Sequence, residues 1–128
     1  MKRAFKLAYD GRDFHGFQRQ LDLPTIEKSL FESLTSLNIC EGMPINYSAA
    51  GRTDSGVSAI SQTVSFEAPD WCTPSAINSK LPRSIRAWSS CNVPENFNST
   101  LDASRRQYVY YLHSSNLDIG LANKSAKL

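Results

Sequence analysis

Strict alternation along residues 60–66 is the feature that most limits how this chain can fold. Ile60, Gln62, Val64 and Phe66 occupy every second position, and polar residues stand between them. Successive side chains of a strand point to opposite faces, so this spacing predicts a strand with one covered face and one open face. Such a strand is stable only with neighbouring strands and a second layer packed on its apolar side.

Four other segments carry strand signals of differing strength. The alternation is clear near the start and near the end of the chain, and short or mixed between them. We predict strands over residues 3–10, 45–49, 85–93 and 106–113.

Two helix starts stand out between these strands. Thr25 follows a proline and precedes a stripe of apolar residues, which predicts a helix that ends near Asn38. Thr73-Pro74 combines an N-cap residue with a proline at the first helical position and predicts a second helix to about Lys80.

The order is therefore strand, helix, two strands, helix, two strands. It predicts an α+β fold, an antiparallel sheet with two helices on one face in a ferredoxin-like or RRM-like layer. The 128 residues suffice for one compact domain, which we expect to span residues 1–128. After Ser114 the pattern weakens, and we expect residues 122–127 to be frayed.

Composition excludes several classes of protein. No apolar run approaches the ~20 residues that a membrane-spanning helix needs, and the first residues alternate instead of forming a signal sequence. We therefore expect a cytoplasmic protein, or one of an organelle matrix, with no membrane partner. Three separated cysteines and two histidines favour neither a disulfide framework nor a metal site. A net charge of +2 permits an RNA partner without requiring one.

The most unusual stretch is residues 50–59, which read Ala-Gly-Arg-Thr-Asp-Ser-Gly-Val-Ser-Ala. Two glycines enclose a carboxylate, Asp54, and an arginine, Arg52, lies two residues before it. Glycines let a backbone approach a ligand closely, and strands on both sides can hold the carboxylate in place. From the residues alone, a surface turn in which Asp54 caps backbone amides and pairs with Arg52 remains an alternative.

Three further blocks accompany this loop. Residues 9–20 contain Tyr-Asp-Gly followed by Phe-His-Gly-Phe-Gln-Arg-Gln, residues 78–82 read Asn-Ser-Lys-Leu-Pro, and residues 105–110 read Arg-Arg-Gln-Tyr-Val-Tyr. Together with Gly-Arg-Thr-Asp-Ser-Gly-Val, in this order, they resemble the TruA family of tRNA pseudouridine synthases. The resemblance extends from residue 4 to about residue 113.

The resemblance implies an enzyme that isomerises uridine to pseudouridine in tRNA, in the anticodon stem-loop region. By position, Asp54 matches the catalytic aspartate and Arg52 the arginine that helps to move the target base out of the stack. Tyr108 matches the tyrosine that stacks on the base, and we assign Arg106 to substrate binding beside it. The reaction needs no redox step and no metal, so we expect no cofactor. The resemblance also implies that the full-length protein is a homodimer.

The chain departs from the family pattern at two positions and in length. Ser58 replaces a common histidine, and Thr100 replaces a common arginine. Family members carry a second α/β half that completes the cleft and supplies a basic partner for the aspartate, and this half lies outside the sequence. We therefore expect the isolated chain to be weak or inactive. The alternative is a non-catalytic RNA-binding module or a self-associating fragment.

Overall fold

Four strands form one antiparallel sheet in residues 1–113 and 116–127, the part of the chain that the computed structural model describes. In chain order they are β1 (Lys2–Tyr9), β2 (Ser48–Ala49), β3 (Ala59–Glu67) and β4 (Ile85–Asn92). Their order across the sheet is β2-β3-β1-β4. The antiparallel α+β class predicted from the sequence is confirmed.

The inner strand β1 pairs with both β3 and β4. Phe5 lies opposite Val64 of β3 and opposite Ser90 of β4. Both pairings shift by a residue near the end of β1, where a bulge follows Leu7 against β3. A bulge bends and twists a strand, and this one lies at the end of the sheet that leads into the loop before β3.

Two helices pack on the sheet as predicted. α1 (Ile26–Ser36) begins at Thr25, whose side chain accepts a hydrogen bond from the Lys28 amide. α2 (Pro74–Asn78) begins at Thr73, whose hydroxyl accepts from the Ala76 amide at 3.2 Å. Both caps satisfy amides that a helix start leaves without a partner.

The core lies between these helices and one face of the sheet. Phe5 and Phe66 stack at its centre with ring centroids 5.0 Å apart. The apolar stripe of α1 and the single buried side chain of α2 complete it: Ile26, Leu30, Phe31, Leu34 and Ile77. The amphipathic spacing read from the sequence therefore identifies the covered face.

The predicted strand over residues 106–113 is wrong. The segment is irregular and exposed along its whole length, and it pairs with no strand in the described part of the chain. Its alternation describes side chains that suit a sheet, but a strand forms only where a neighbour supplies the ladder of hydrogen bonds.

Two smaller predictions also need correction. The predicted strand over residues 45–49 is reduced to the two residues of β2, because Asn46 takes a positive φ of 56° that interrupts the extended backbone. The tail is not frayed: it forms α3 (Ile119–Ala126), capped by Asp118. None of its residues is buried. A helix that does not pack on a core needs no apolar stripe, so the sequence gives no periodic signal for it.

No helix within residues 1–113 and 116–127 combines the length and the apolar character needed to cross a membrane.

Candidate active site

The loop of residues 50–58, between β2 and β3, lies directly against the loop of residues 10–17 that follows β1. A Cβ atom on Gly11 would lie 2.0 Å from the Val57 carbonyl oxygen. A Cβ on Gly16, which has a φ of +89°, would lie 3.2 Å from the Thr53 carbonyl oxygen. Only glycine permits this approach of the two backbones.

Backbone hydrogen bonds join the two loops along their length. The Phe17 amide donates to the Thr53 carbonyl at 3.0 Å, and the Gly56 amide donates to the Phe14 carbonyl at 3.3 Å. These bonds lie on either side of Asp54. The residue is therefore held from both flanks by a neighbouring segment of chain.

A second set of bonds holds the same loop from the sheet beneath it. The Tyr9 hydroxyl lies 2.8 Å from the Thr53 hydroxyl. The Gln62 side-chain amide donates to the Gly51 carbonyl at 2.9 Å and to the Tyr9 hydroxyl at 3.4 Å. Burial raises the pKa of Tyr9 above its ordinary value, although its bonds to Thr53 and Gln62 oppose the rise. The phenol is thus neutral at physiological pH and can donate to Thr53.

Asp54 lies at the middle of this loop. Its side chain is exposed and makes no hydrogen bond or ion pair with the residues that the structure describes. Its backbone carbonyl accepts a hydrogen bond from the Val57 amide at 3.1 Å. The carboxylate is therefore open to an incoming group while its backbone is fixed.

Arg52 is also exposed, and it forms no ion pair with Asp54 in the described ranges. Its charge acts instead near Tyr47, whose hydroxyl donates to Glu27 at 2.8 Å. Burial raises the pKa of Tyr47 far above its ordinary value and the charge of Glu27 adds to this, whereas the charge of Arg52 opposes it. The guanidinium is therefore exposed two residues before Asp54, with its charge felt at Tyr47.

The other two predicted site residues belong to the irregular segment. Arg106 donates from Nε to the Ala50 carbonyl at 2.8 Å and from Nη2 to the Thr100 carbonyl at 2.6 Å. Its guanidinium therefore lies at the stem of the Asp54 loop with part of its donors in use. Tyr108 is 77% exposed. No hydrogen bond or ring contact joins it to Asp54 or Arg52 in the chain as described.

The two departures from the family pattern have structural roles here. The Ser58 hydroxyl accepts a hydrogen bond from the Gly11 amide at 3.0 Å, which adds to the contact between the loops. The Thr100 hydroxyl donates to the Ala49 carbonyl at 2.6 Å, on the free edge of β2.

Sequence reasoning missed the two residues beneath the loop, Tyr9 and Gln62. Tyr9 reads as an ordinary member of the apolar face of β1. Gln62 carried a usable signal, since it is an amide on the apolar face of a strand and is only 7% exposed. A buried polar side chain must find partners, and here the partners belong to the loop.

The arrangement provides an exposed carboxylate on a fixed backbone, with an exposed guanidinium two residues before it in the chain. This suits nucleophilic or electrostatic chemistry on a polar substrate. Residues 1–113 and 116–127 contain no group of three or more His, Cys, Asp or Glu side chains placed to hold a metal ion.

Comparison with known proteins gives consistent relatives. The chain is 52% identical over 115 residues to a protein of Haloarcula marismortui, a match covering 88% of this chain and 42% of the relative. It is 45% identical over 131 aligned positions to a protein of Methanococcoides burtonii, covering 100% of this chain and 48% of the relative. A protein of Natronomonas pharaonis is 53% identical, with 88% and 43% covered. All three are named tRNA pseudouridine synthase A.

The chain matches no protein-family model. It spans somewhat less than half the length of these relatives. The resemblance predicted from the four sequence blocks is confirmed, and the chain is a relative of the tRNA pseudouridine synthase A proteins.

Proposed function

We propose that this chain carries the catalytic aspartate of a tRNA pseudouridine synthase, with Asp54 as the nucleophile. The single observation that supports this most is the Asp54 loop itself, which presents a carboxylate with no partner among the described residues from a backbone fastened on both flanks. The names of the relatives supply the reaction and the tRNA substrate. By family resemblance, the target uridine lies in the anticodon stem-loop region.

The reaction breaks the bond between N1 of uracil and C1′ of ribose and forms a bond from C5 to C1′. C5 loses its proton and N1 gains one, so the product is an isomer of the substrate and no electrons are exchanged. A carboxylate can attack the ribose or the base and hold the detached uracil in a covalent or tightly paired intermediate. The open side of Asp54 suits this role.

The target nucleotide must first leave the base stack, which costs a few kcal/mol. We assign Arg52 to this step, since a guanidinium can fill the vacated space and bind phosphate. Tyr108 is assigned to stacking on the extruded base, an interaction worth about 1–3 kcal/mol. Arg106 is assigned to substrate binding, through the donors that Ala50 and Thr100 leave unused.

Asp54→Asn in the full-length protein tests the proposal. It removes the nucleophile and keeps the shape of an exposed side chain, so pseudouridine formation should be abolished while tRNA affinity is retained. Asp22→Asn is the matched control, because Asp22 is also exposed and has no hydrogen bond or ion pair in the part of the chain that the structure describes. Equal turnover in the two variants would contradict the role of Asp54.

We also propose that a second α/β half, of the kind family members carry, covers the exposed aromatic segment around Tyr108 and completes the cleft. Val109, Tyr110 and Tyr111 are each at least 69% exposed, a density of apolar surface that usually marks an interface. Light scattering of the full-length protein tests the accompanying proposal of a homodimer. As a protein acting on tRNA, it is assigned to the cytoplasm.

The alternative is a non-catalytic RNA-binding or self-associating protein that keeps the sheet and the aromatic residues. The exposed aromatic segment is the observation that favours it. In that case the wild-type full-length protein would bind tRNA or itself and form no pseudouridine.

A further inference from the structure

We propose that Gln62 and Tyr9 are positioning residues that hold the Asp54 loop in its reactive conformation from inside the sheet. This inference rests on the proposed function for its catalytic consequence. The geometry of the loop that it explains stands on its own.

The first step is the completeness of the hydrogen bonds at Gln62. Its Nε2 donates to the Gly51 carbonyl and to the Tyr9 hydroxyl, and its Oε1 accepts from the Thr63 amide at 3.1 Å. Burying a polar side chain costs free energy unless it has hydrogen-bond partners such as these. All of its polar atoms are used, and the partner on the loop is a backbone carbonyl.

The second step is the position of the residues that are held. Gly51 and Thr53 are the immediate neighbours of Arg52, and Thr53 immediately precedes Asp54. Gln62 fixes the first of them, and Tyr9, whose hydroxyl accepts from Gln62, fixes the second at 2.8 Å. Two adjacent strands thus hold the loop on both sides of Arg52.

The third step is the chemistry that only this pair provides. The amide of Gln62 donates to the Gly51 carbonyl and to the Tyr9 hydroxyl, and the Tyr9 hydroxyl shares a second hydrogen bond with the Thr53 hydroxyl. An aliphatic side chain in place of Gln62 would leave the Gly51 carbonyl and the Tyr9 hydroxyl without this donor. A carboxylate in place of the Gln62 amide would place an acceptor oxygen against the Gly51 carbonyl oxygen, which is also an acceptor.

The test uses the full-length protein with Gln62→Met, Gln62→Glu and Tyr9→Phe, and Ser61→Ala as the neighbouring control. Ser61 is exposed on the same strand. Steady-state kinetics on tRNA give kcat and KM separately. Hydrogen exchange compares the exchange rates of the Gly56 and Val57 amides in the loop with that of the Val64 amide in β3. We expect kcat to fall about 10- to 100-fold in both Gln62 variants, because a small misplacement of a reacting group has an effect of this size.

KM for tRNA should stay within about twofold of wild type in these variants, because the loss concerns the reacting geometry and not uniform binding. The Gly56 and Val57 amides should exchange faster, with Val64 unchanged. Tyr9→Phe should have a smaller effect, and its combination with Gln62→Met should be less than additive, since the two residues form one chain of bonds.

Wild-type kcat in Gln62→Glu would overturn the inference. So would a loss of kcat accompanied by equally faster exchange at Val64, which would indicate general destabilisation. If Gln62→Met fails to fold, Gln62→Glu and Tyr9→Phe still decide the question. If the wild-type protein forms no pseudouridine, the proposed function fails, whereas the exchange of Gly56 and Val57 continues to test the positioning by itself.

Discussion

The Asp54 loop and the segment of residues 106–113 are both irregular in structure, yet they are held in opposite ways. The loop is fastened by the neighbouring loop on its flanks and by Tyr9 and Gln62 from below. The segment is attached at its start, where Arg106 binds two carbonyl groups, and Tyr108 beyond it is open.

This difference shows which of the two candidate segments the described residues hold in place. The hydrogen bonds on either side of Asp54 come from β1, β3 and the loop after β1, while Arg106 binds only the stem of the loop at Ala50. Beyond Arg106, residues 108–112 have no such support in the described part of the chain, and their side chains are exposed. The predictions below test that contrast, beginning with the largest expected effect.

Gly11→Ala should separate the two loops. The added Cβ would overlap the Val57 carbonyl, which is backbone and cannot rotate aside. We therefore expect the free energy of unfolding to fall by about 2–3 kcal/mol. Gly51→Ala is the matched control, because a Cβ there meets no atom within 4 Å. Chemical denaturation measures both, and equal stability of the two variants would show that the loops do not pack as described.

Ser99→Ala should destabilise the chain before the segment of residues 106–113. The Ser99 hydroxyl donates to Ser65 at 2.8 Å, and the Ser99 amide donates to the Ser48 hydroxyl at 2.8 Å, in a buried cluster. Loss of one buried hydroxyl from such a cluster should reduce the free energy of unfolding by about 1–2 kcal/mol. Thermal denaturation beside the exposed control Ser61→Ala measures it, and a neutral Ser99→Ala would argue against the cluster.

Arg106→Ala should have the smallest effect on stability, about 0.5 kcal/mol, because its two hydrogen bonds are exposed to water. Its effect should be local: chymotrypsin should cut faster after Tyr108, Tyr110 and Tyr111. Arg105→Ala is the control, as Arg105 is exposed and has no hydrogen bond in the chain as described. Faster cutting in both variants, to the same degree, would remove Arg106 from this role.

The parts of the fold that could be predicted are those with local causes. Thr25 and Thr73 identify the starts of α1 and α2, because a capping side chain acts within one turn of the helix. Alternation identified β1 and β3 because their two faces differ in solvent exposure. The failure at residues 106–113 has the opposite cause, since a strand depends on a partner that no local pattern reveals.

Only part of the candidate site could be predicted from the sequence, for the same reason. Asp54 and Arg52 could be proposed from the glycine-bounded loop and the family blocks. The contacts between the loops could not, because they depend on how closely two separate turns approach, and Gly11 and Gly16 alone hint at it. Asp118, which caps α3, offered a local signal that the weak pattern of the tail concealed.

Amide hydrogen exchange of the 128-residue chain tests the central claim most directly, because it reports the Asp54 loop and the aromatic segment in one experiment. We expect the Phe17, Gly56 and Val57 amides, which donate to backbone carbonyls of the joined loops, to exchange slowly. The amides of residues 108–112 should exchange nearly as fast as in an unfolded peptide. Exchange in the Asp54 loop as fast as in the aromatic segment would contradict the account.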